Sequence, residues 1–210
     1  MTDPAPPAAA MWDERYRPAA YAYGLEPNAF LASQAHRLKA GMRALVPGDG
    51  EGRNGVWLAG QGLEVDAFDL SAVGVAKAKA LAAERGASIA AFEADALTWA
   101  WAAGRYDLIA LIYLHLVEPE RRIVHARALG ALKPGGLIVL EAFRPEQLDR
   151  HAAGTRGGPR DRALLYPVEA LRQDFAGEEI LVLEAAEARV DEGHLHSGES
   201  AVVRAVVRKG

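Results

Sequence analysis

Leu45-Val46-Pro47-Gly48-Asp49-Gly50-Glu51-Gly52-Arg53-Asn54-Gly55 decides how the rest of the chain is read. A short apolar run, Ala44 to Val46, enters three glycines at alternate positions. A helical pattern of Val56, Trp57, Leu58 and Ala59 leaves them. The order is strand, tight turn, helix. Glycine is needed where the backbone turns sharply and approaches a ligand with no Cβ in the way. The helix that starts here directs unpaired N–H groups into the turn. The stretch therefore predicts a nucleotide-type ligand cradle; the plainer alternative is a glycine-rich surface loop.

Two ligand classes fit the spacing. Gly50-Glu51-Gly52-Arg53-Asn54-Gly55 satisfies G-x-G-x-x-G, the dinucleotide fingerprint. Gly48-Asp49-Gly50-Glu51-Gly52 equally satisfies the G-x-G-x-G turn of enzymes that use S-adenosylmethionine (SAM). Charge separates the two. A pyrophosphate is favoured by the positive end of a helix, and two carboxylates in the turn, Asp49 and Glu51, oppose that anion. SAM carries a sulfonium and an ammonium, which tolerate carboxylates. The turn leans towards SAM.

The chain has 210 residues, half of them hydrophobic, enough for one domain with a full core. A net charge of −4 gives no basic footprint for nucleic acid. There are no cysteines, which excludes disulfides, thiolate zinc sites and cysteine nucleophiles. No apolar run approaches the roughly 20 residues of a membrane span. Thr2 to Ala10 is rich in Pro and Ala, with neither the basic region nor the apolar core of a signal peptide. Residues 1–10 read as a disordered tail, and 11–210 as one domain with a cap or flap over 11–42 and a core over 43–210. The default location is the cytoplasm.

Beyond the turn, strand and helix patterns alternate. A helix from Asn54 to about Gln61 stops at Gly62, and Leu63 to Phe68 alternates apolar and acidic residues as a second strand. Ser71 caps a helix that stops at Arg85-Gly86, and Ala87 to Phe92 is a third strand. Asp107 to Ile112 is a continuous apolar run fit for a buried parallel strand. Pro119 opens a helix to about Leu132, Lys133-Pro134-Gly135-Gly136 breaks it, and Leu137 to Leu140 is another buried strand. His151 to Asp161 reads as an exposed mobile loop, and Tyr166-Pro167 to Phe175 as a helix. Ile180 to Val190 and Ser200 to Val207 follow as an antiparallel hairpin at the sheet edge. Upstream, Met11 to Phe30 is dense in aromatics but interrupted by Gly24 and Pro27. Asn28 caps a helix running to about Ala40, with Phe30, Leu31, Ala35 and Leu38 on one face. The fold class is α/β with a parallel sheet and right-handed crossovers.

Candidate chemistry gathers at strand ends, where open α/β sheets bind ligands. Asp69 ends the second strand, seventeen residues past Gly52, where a carboxylate accepts both hydroxyls of a ribose. Its plainer role is to support the Ser71 cap. Asp95 follows the third strand and can accept an exocyclic amine such as that of adenine, or be a solvated loop acid. His115 follows the fourth strand, placed to act as a base, to orient an acceptor or simply to pack. His194 and His196 share one face if extended, but no third ligand accompanies them, so no metal is expected. Arg156 and Arg160 can bind an anion or remain solvated.

In this order, glycine turn, Asp69, Asp95, Tyr113-Leu114-His115 and Leu132-Lys133-Pro134-Gly135-Gly136, the chain resembles the class I SAM-dependent methyltransferases. Trp12-Asp13-Glu14-Arg15-Tyr16, Tyr23-Gly24 and Glu26-Pro27-Asn28, with Gly48 to Asn54, resemble the tellurite-resistance and thiopurine-methyltransferase-like branch. Gly193-His194-Leu195-His196 is similar to the late histidine turn of the tellurite-resistance proteins, with His196 at their functional histidine. The resemblance runs from Met11 to Lys209. It implies a Rossmann-like, doubly wound, seven-stranded sheet of order 3-2-1-4-5-7-6, with strand seven antiparallel. It also implies that Gly48, Asp49, Gly50, Gly52 and Asn54 border the methionine moiety, Asp69 and Leu70 the ribose, and Asp95 with Ala96 the adenine. Tyr16 and Tyr23 would close the flap. Many members carry an acid two residues before the first glycine; here Val46 stands there.

The function expected is methyl transfer from SAM to a small-molecule acceptor, yielding S-adenosylhomocysteine (SAH), with His115 or His196 as base where one is needed. The partners expected are that acceptor and at most a second copy of the chain, without nucleic acid or membrane. The alternatives are an NAD(P)-binding oxidoreductase and a non-catalytic SAM-binding protein.

Overall fold

The computed structural model describes residues 8–210. In chain order the elements are α1 (Ala8–Tyr16), α2 (Ala29–Ser33), β1 (Arg43–Pro47), α3 (Arg53–Gly60), β2 (Glu64–Asp69), α4 (Ala72–Glu84) and β3 (Ile89–Glu93). Then come β4 (Tyr106–Ile112), α5 (Glu118–Ala131), β5 (Leu132–Phe143), α6 (Gln147–Ala152), α7 (Val168–Asp174), β6 (Glu179–Glu192) and β7 (His196–Arg208). The strands form one seven-stranded sheet ordered β3-β2-β1-β4-β5-β7-β6. β1 to β5 pair in parallel, and β7 runs antiparallel to both β5 and β6. This is the sheet that the resemblance implies. The strand order reverses between β1 and β4, which opens a crevice at their carboxyl ends.

The apolar runs form strands because both faces of the sheet are covered. On β4, Ile109 and Leu111 face one core with Val124, Ala128, Leu171 and Phe175. Leu108, Ala110 and Ile112 face the other, with Phe30, Leu31 and Leu58. Successive side chains of a strand point to opposite faces, so a strand buried on both sides reads as unbroken hydrophobicity.

Several boundaries differ from the sequence expectation. Residues 1–7 of the expected tail lie outside the described residues, whereas Ala8 to Ala10 are the first turn of α1. Asn28 caps α2 by accepting from the Leu31 amide at 2.9 Å. That helix stops at Ser33 rather than near Ala40, where the Ser33 hydroxyl bonds the Phe30 carbonyl and a 3-10 turn, Ala35–Arg37, follows. Lys133 to Gly136 is a bulge inside β5: Tyr106 pairs with Leu132 and Leu108 with Leu137.

The closing hairpin is longer than expected. Its ladder runs from Glu179 opposite Arg208 to Glu192 opposite His196, which leaves only Gly193-His194-Leu195 as the turn. The segment read as a mobile loop, His151 to Asp161, is docked instead. Arg156 bridges to Ser197, and the His151 ring and the Gln147 amide both bond the Gly157 carbonyl. A Cβ on Gly158 would stand 2.8 Å from the Phe143 ring, so glycine is what lets this segment lie against β5.

Candidate cofactor crevice and the histidine beside it

The turn after β1 has left-handed backbone at Gly48 (φ 68°), Gly50 (φ 57°) and Gly52 (φ 92°). The Gly48 amide donates to the Phe68 carbonyl at 2.7 Å, and this ties the turn to the end of β2. Asp69, at that end, accepts from the Gly50 amide through Oδ2 and from the Ser71 amide through Oδ1, each at 2.9 Å. Burial pushes the Asp69 carboxyl above its usual range against those two amides. The ribose carboxylate expected from sequence thus stands directly against the middle glycine.

Both acids of the turn have partners within the protein. Asp49 folds back onto the start of α3 and accepts from the Gly55 amide with both oxygens, at 3.2 and 3.1 Å. Burial pushes its carboxyl up to about 8. Glu51 turns to the N-terminal segment, accepting from Lys77 Nζ at 2.6 Å and from the Ala22 amide at 2.7 Å. Val46, on β1, is buried and stands two residues before Gly48, where many members of the resembled family carry an acid. The Asn54 side chain is engaged by the segment before α2. Its Oδ1 accepts from the Asn28 amide at 2.9 Å.

The N-terminal segment covers this crevice. Tyr16, at the end of α1, is buried with its ring over Gly50 and Gly74. Asp13 accepts from the Ser71 hydroxyl at 2.6 Å and from the Val73 amide, at the start of α4. Lys77 donates to the carbonyls of Tyr16, Pro18 and Ala20 as well as to Glu51. Tyr23 lies edge-on to Tyr16 at 6.3 Å, and its hydroxyl accepts from Arg15.

Beyond β3, Asp95 makes an Asx turn, accepting from the Leu97 amide at 2.8 Å. The Ala96 carbonyl accepts from Trp101 and Arg127. Leu70 and Asp95 remain half-exposed beside the buried Ala96.

The two candidate histidines differ. His115 is held at both ring nitrogens: Nδ1 donates to the Leu164 carbonyl at 2.7 Å and Nε2 accepts from the Phe143 amide at 3.4 Å. Burial lowers its pKa to about 4. With both nitrogens engaged it is poorly placed as a base, which leaves packing as the simplest of the readings that the sequence offered. His196 is buried against Tyr23 at 4.4 Å and Tyr113 at 5.0 Å between ring centroids. Its Nδ1 faces Glu192 Oε2 at 3.3 Å. Burial pushes its pKa below the ordinary value, partly offset by Glu192. His194 is exposed in the hairpin turn, whereas His196 is buried at the start of β7. Among the described residues no three His, Asp or Glu side chains gather as they would around a metal. Arg160 is exposed, and Arg156 contributes its backbone to the bridge with Ser197.

Sequence reasoning missed a buried polar cluster behind His196. Glu192 Oε2 also accepts from Arg53 Nη2 at 2.8 Å, and Oε1 from Asn28 at 3.2 Å. Asn28 bonds Glu141 at 2.6 Å, and Glu141 further accepts from the Tyr113 hydroxyl and from Arg204. Tyr113 sits in the left-handed region at φ 53°, which costs a non-glycine residue about 1–2 kcal/mol. Its stacking on Phe143 at 4.6 Å and its bond to Glu141 hold it there. Asn28, Arg53, Tyr113, Glu141, Glu192 and Arg204 come from six separate stretches, and no spacing rule joins them. The one available signal was Arg53-Asn54 directly after the glycine turn.

A family model described as a methyltransferase domain matches residues 44–136, the stretch from β1 to the bulge in β5. No curated protein matches the chain. Among solved structures, one reported for the conversion of a disulfide bond into a thioacetal group during echinomycin biosynthesis superposes with a TM-score of 0.79. It is 19% identical and covers 96% of this chain and 91% of its own. The N-methyltransferase NodS from Bradyrhizobium japonicum WM9, in complex with SAH, gives 0.70 at 15% identity, covering 96% and 97%. TehB from Haemophilus influenzae gives 0.70 at 16% identity, covering 96% of this chain and 67% of its own. At these identities the likeness is one of fold, and the matched domain lies over the glycine turn, Asp69 and Asp95.

Proposed function

We propose that this protein transfers a methyl group from SAM to a small, protic acceptor. The observation that carries the reading is the placement of Asp69. Its carboxylate lies against the Gly50 amide, at the carboxyl ends of parallel strands and inside the matched methyltransferase domain. Gly48, Gly50 and Gly52 border the methionine end of the cofactor, Asp69 and Leu70 the ribose, and Asp95 with Ala96 the adenine. The residues fit this group better than a dinucleotide. A pyrophosphate needs the free amides at the start of α3, and Asp49 already occupies the Gly55 amide there. The space above Gly50 is held by the Tyr16 hydroxyl, the end of a side chain that can swing aside. Residues 11–42 act as the cap, with Tyr16 and Tyr23 over the crevice.

SAM supplies an electrophilic methyl on a sulfonium that leaves as a neutral thioether. The chain supplies orientation, which can be worth about 7–11 kcal/mol of barrier. It also supplies His196 to take the acceptor's proton. With Nδ1–H directed at Glu192, Nε2 keeps its lone pair. The acceptor's lone pair forms the new bond and its proton passes to Nε2. Of the possible branches, the tellurite-resistance-like one is favoured by His196, the first residue of β7 after the hairpin turn.

The test is calorimetry with SAM, SAH and NADH on the wild type and Asp69→Ala. Binding of both adenosyl ligands, lost in the variant, is the expected result. Heat with NADH alone would overturn the reading in favour of an oxidoreductase. A second reading, a SAM-binding protein without turnover, is favoured by Val46 in place of an acid. Adenosyl binding without SAH release across an acceptor panel would select it.

A further inference from the structure

Arg53 is the first residue of the helix that leaves the glycine turn, and its guanidinium reaches across to the tip of the terminal hairpin. There it meets Glu192, whose same oxygen faces His196 Nδ1. Glu192 and His196 are the last cross-strand pair of the β6–β7 ladder, so the hairpin itself sets their spacing. Asn28, almost wholly buried, donates to the other oxygen of Glu192. All three neighbours of this carboxylate are donors.

We infer that Glu192, clamped by Arg53 and Asn28, is the positioning residue that fixes His196 in its Nδ1–H form and presents Nε2 to the acceptor. The inference rests on the reading of His196 as the base and adds what makes it one. A buried carboxylate between an Arg and a His holds the imidazole in one tautomer and one orientation, the arrangement that makes a histidine a directed base. Arg53 keeps Glu192 ionised: although burial pushes the carboxyl up, the His196 hydrogen bond and the Arg53 charge hold it below its usual range. The same arginine follows Gly52 without a break, so the cofactor turn and the acceptor-side histidine share one carboxylate.

The groups that face His196 are Glu192 from β6, Arg53 from α3, and Arg15 from α1, with the rings of Tyr23 and Tyr113 around it. His115, beyond β4, senses its charge. Of these, Glu192 is the one that stabilises the imidazolium. Removing its charge therefore lowers the His196 pKa.

The test is long-range nitrogen–proton spectroscopy on the full chain labelled with ¹⁵N-histidine, with His196 assigned by the signal lost in His196→Gln. In the wild type, neutral His196 is expected as the Nδ1–H tautomer. In Glu192→Gln its titration midpoint is expected to fall by about one pH unit or more. In Glu192→Leu the ring is expected to switch to the commoner Nε2–H form. If Leu does not fold, the Gln variant alone decides. A wild-type Nε2–H form, or an unchanged midpoint in Glu192→Gln, would overturn the inference. The base reading fails separately, if SAH release with an acceptor survives His196→Gln while the titration behaves as expected.

Discussion

The Tyr16 hydroxyl stands 2.6 Å from the point that a Cβ on Gly50 would occupy, so α1 ends inside the glycine turn. The ring also lies 3.0 Å from a would-be Cβ on Gly74, filling the gap between the turn and α4. Lys77 and Asp13 hold the segment in that position. Tyr16→Ala is expected to cost about 3–5 kcal/mol of stability, the usual penalty for deleting a buried aromatic side chain. It is also expected to speed both association and dissociation of SAH in stopped-flow fluorescence. Tyr16→Phe keeps the ring and stays near the wild type in both. Equal rates in all three proteins would show that Tyr16 does not gate the crevice.

Gly50 and Gly52 separate two uses of glycine. Both have left-handed backbone, where a Cβ costs about 1–2 kcal/mol. At Gly52 the Cβ would also stand 2.6 Å from the Ala78 Cα on α4, which is backbone and cannot turn aside. At Gly50 the neighbour is the Tyr16 hydroxyl. Gly52→Ala is therefore expected to be the more destabilising in urea, by about 1–3 kcal/mol of added overpacking. Gly50→Ala is expected to lose mainly cofactor affinity.

The His115 ring is buried and neutral, with a pKa of about 4. The unfolded chain binds a proton at this residue near pH 6.5, and the fold does not until about pH 4. Stability from this residue is thus complete above about 6.5 and falls as pH drops towards 4. The slope is at most about 1.4 kcal/mol per pH unit. Urea midpoints between pH 7 and 4 are expected to fall less steeply in His115→Gln than in the wild type. Parallel slopes would count against a neutral, buried His115.

Asp174 clamps α7 to α5. Its Oδ2 accepts from Arg121 Nε at 2.7 Å and faces His125 Nδ1 at 2.8 Å, with all three side chains buried. Burial raises the carboxyl, but the His125 and Arg121 bonds outweigh it and hold the group below its usual range. Asp174→Asn leaves Arg121 buried without its counter-charge and is expected to cost about 3–5 kcal/mol. A thermal melt followed by circular dichroism measures it. A loss under 1 kcal/mol, about the worth of a surface pair, would mean that solvent reaches the cluster.

The glycine turn, the strand-end acids and the unbroken apolar runs are local patterns. The sequence by itself therefore determined an α/β sheet with a glycine turn after β1 and with Asp69 and Asp95 at strand ends. Strand order followed from the resemblance. What lay beyond it is non-local. Glu192 and Arg53 stand 139 positions apart, and Asn28 and Glu141 113 apart. No spacing rule links such pairs, because the sheet order brings them together. The register of the β6–β7 hairpin moved His196 from an expected turn into a strand opposite Glu192. Tertiary contacts also turned Asp49 onto α3, occupied both nitrogens of His115 and docked the segment after α6. In each case a buried polar group took the partner that the fold placed in reach, since leaving it unpaired costs about 1–3 kcal/mol.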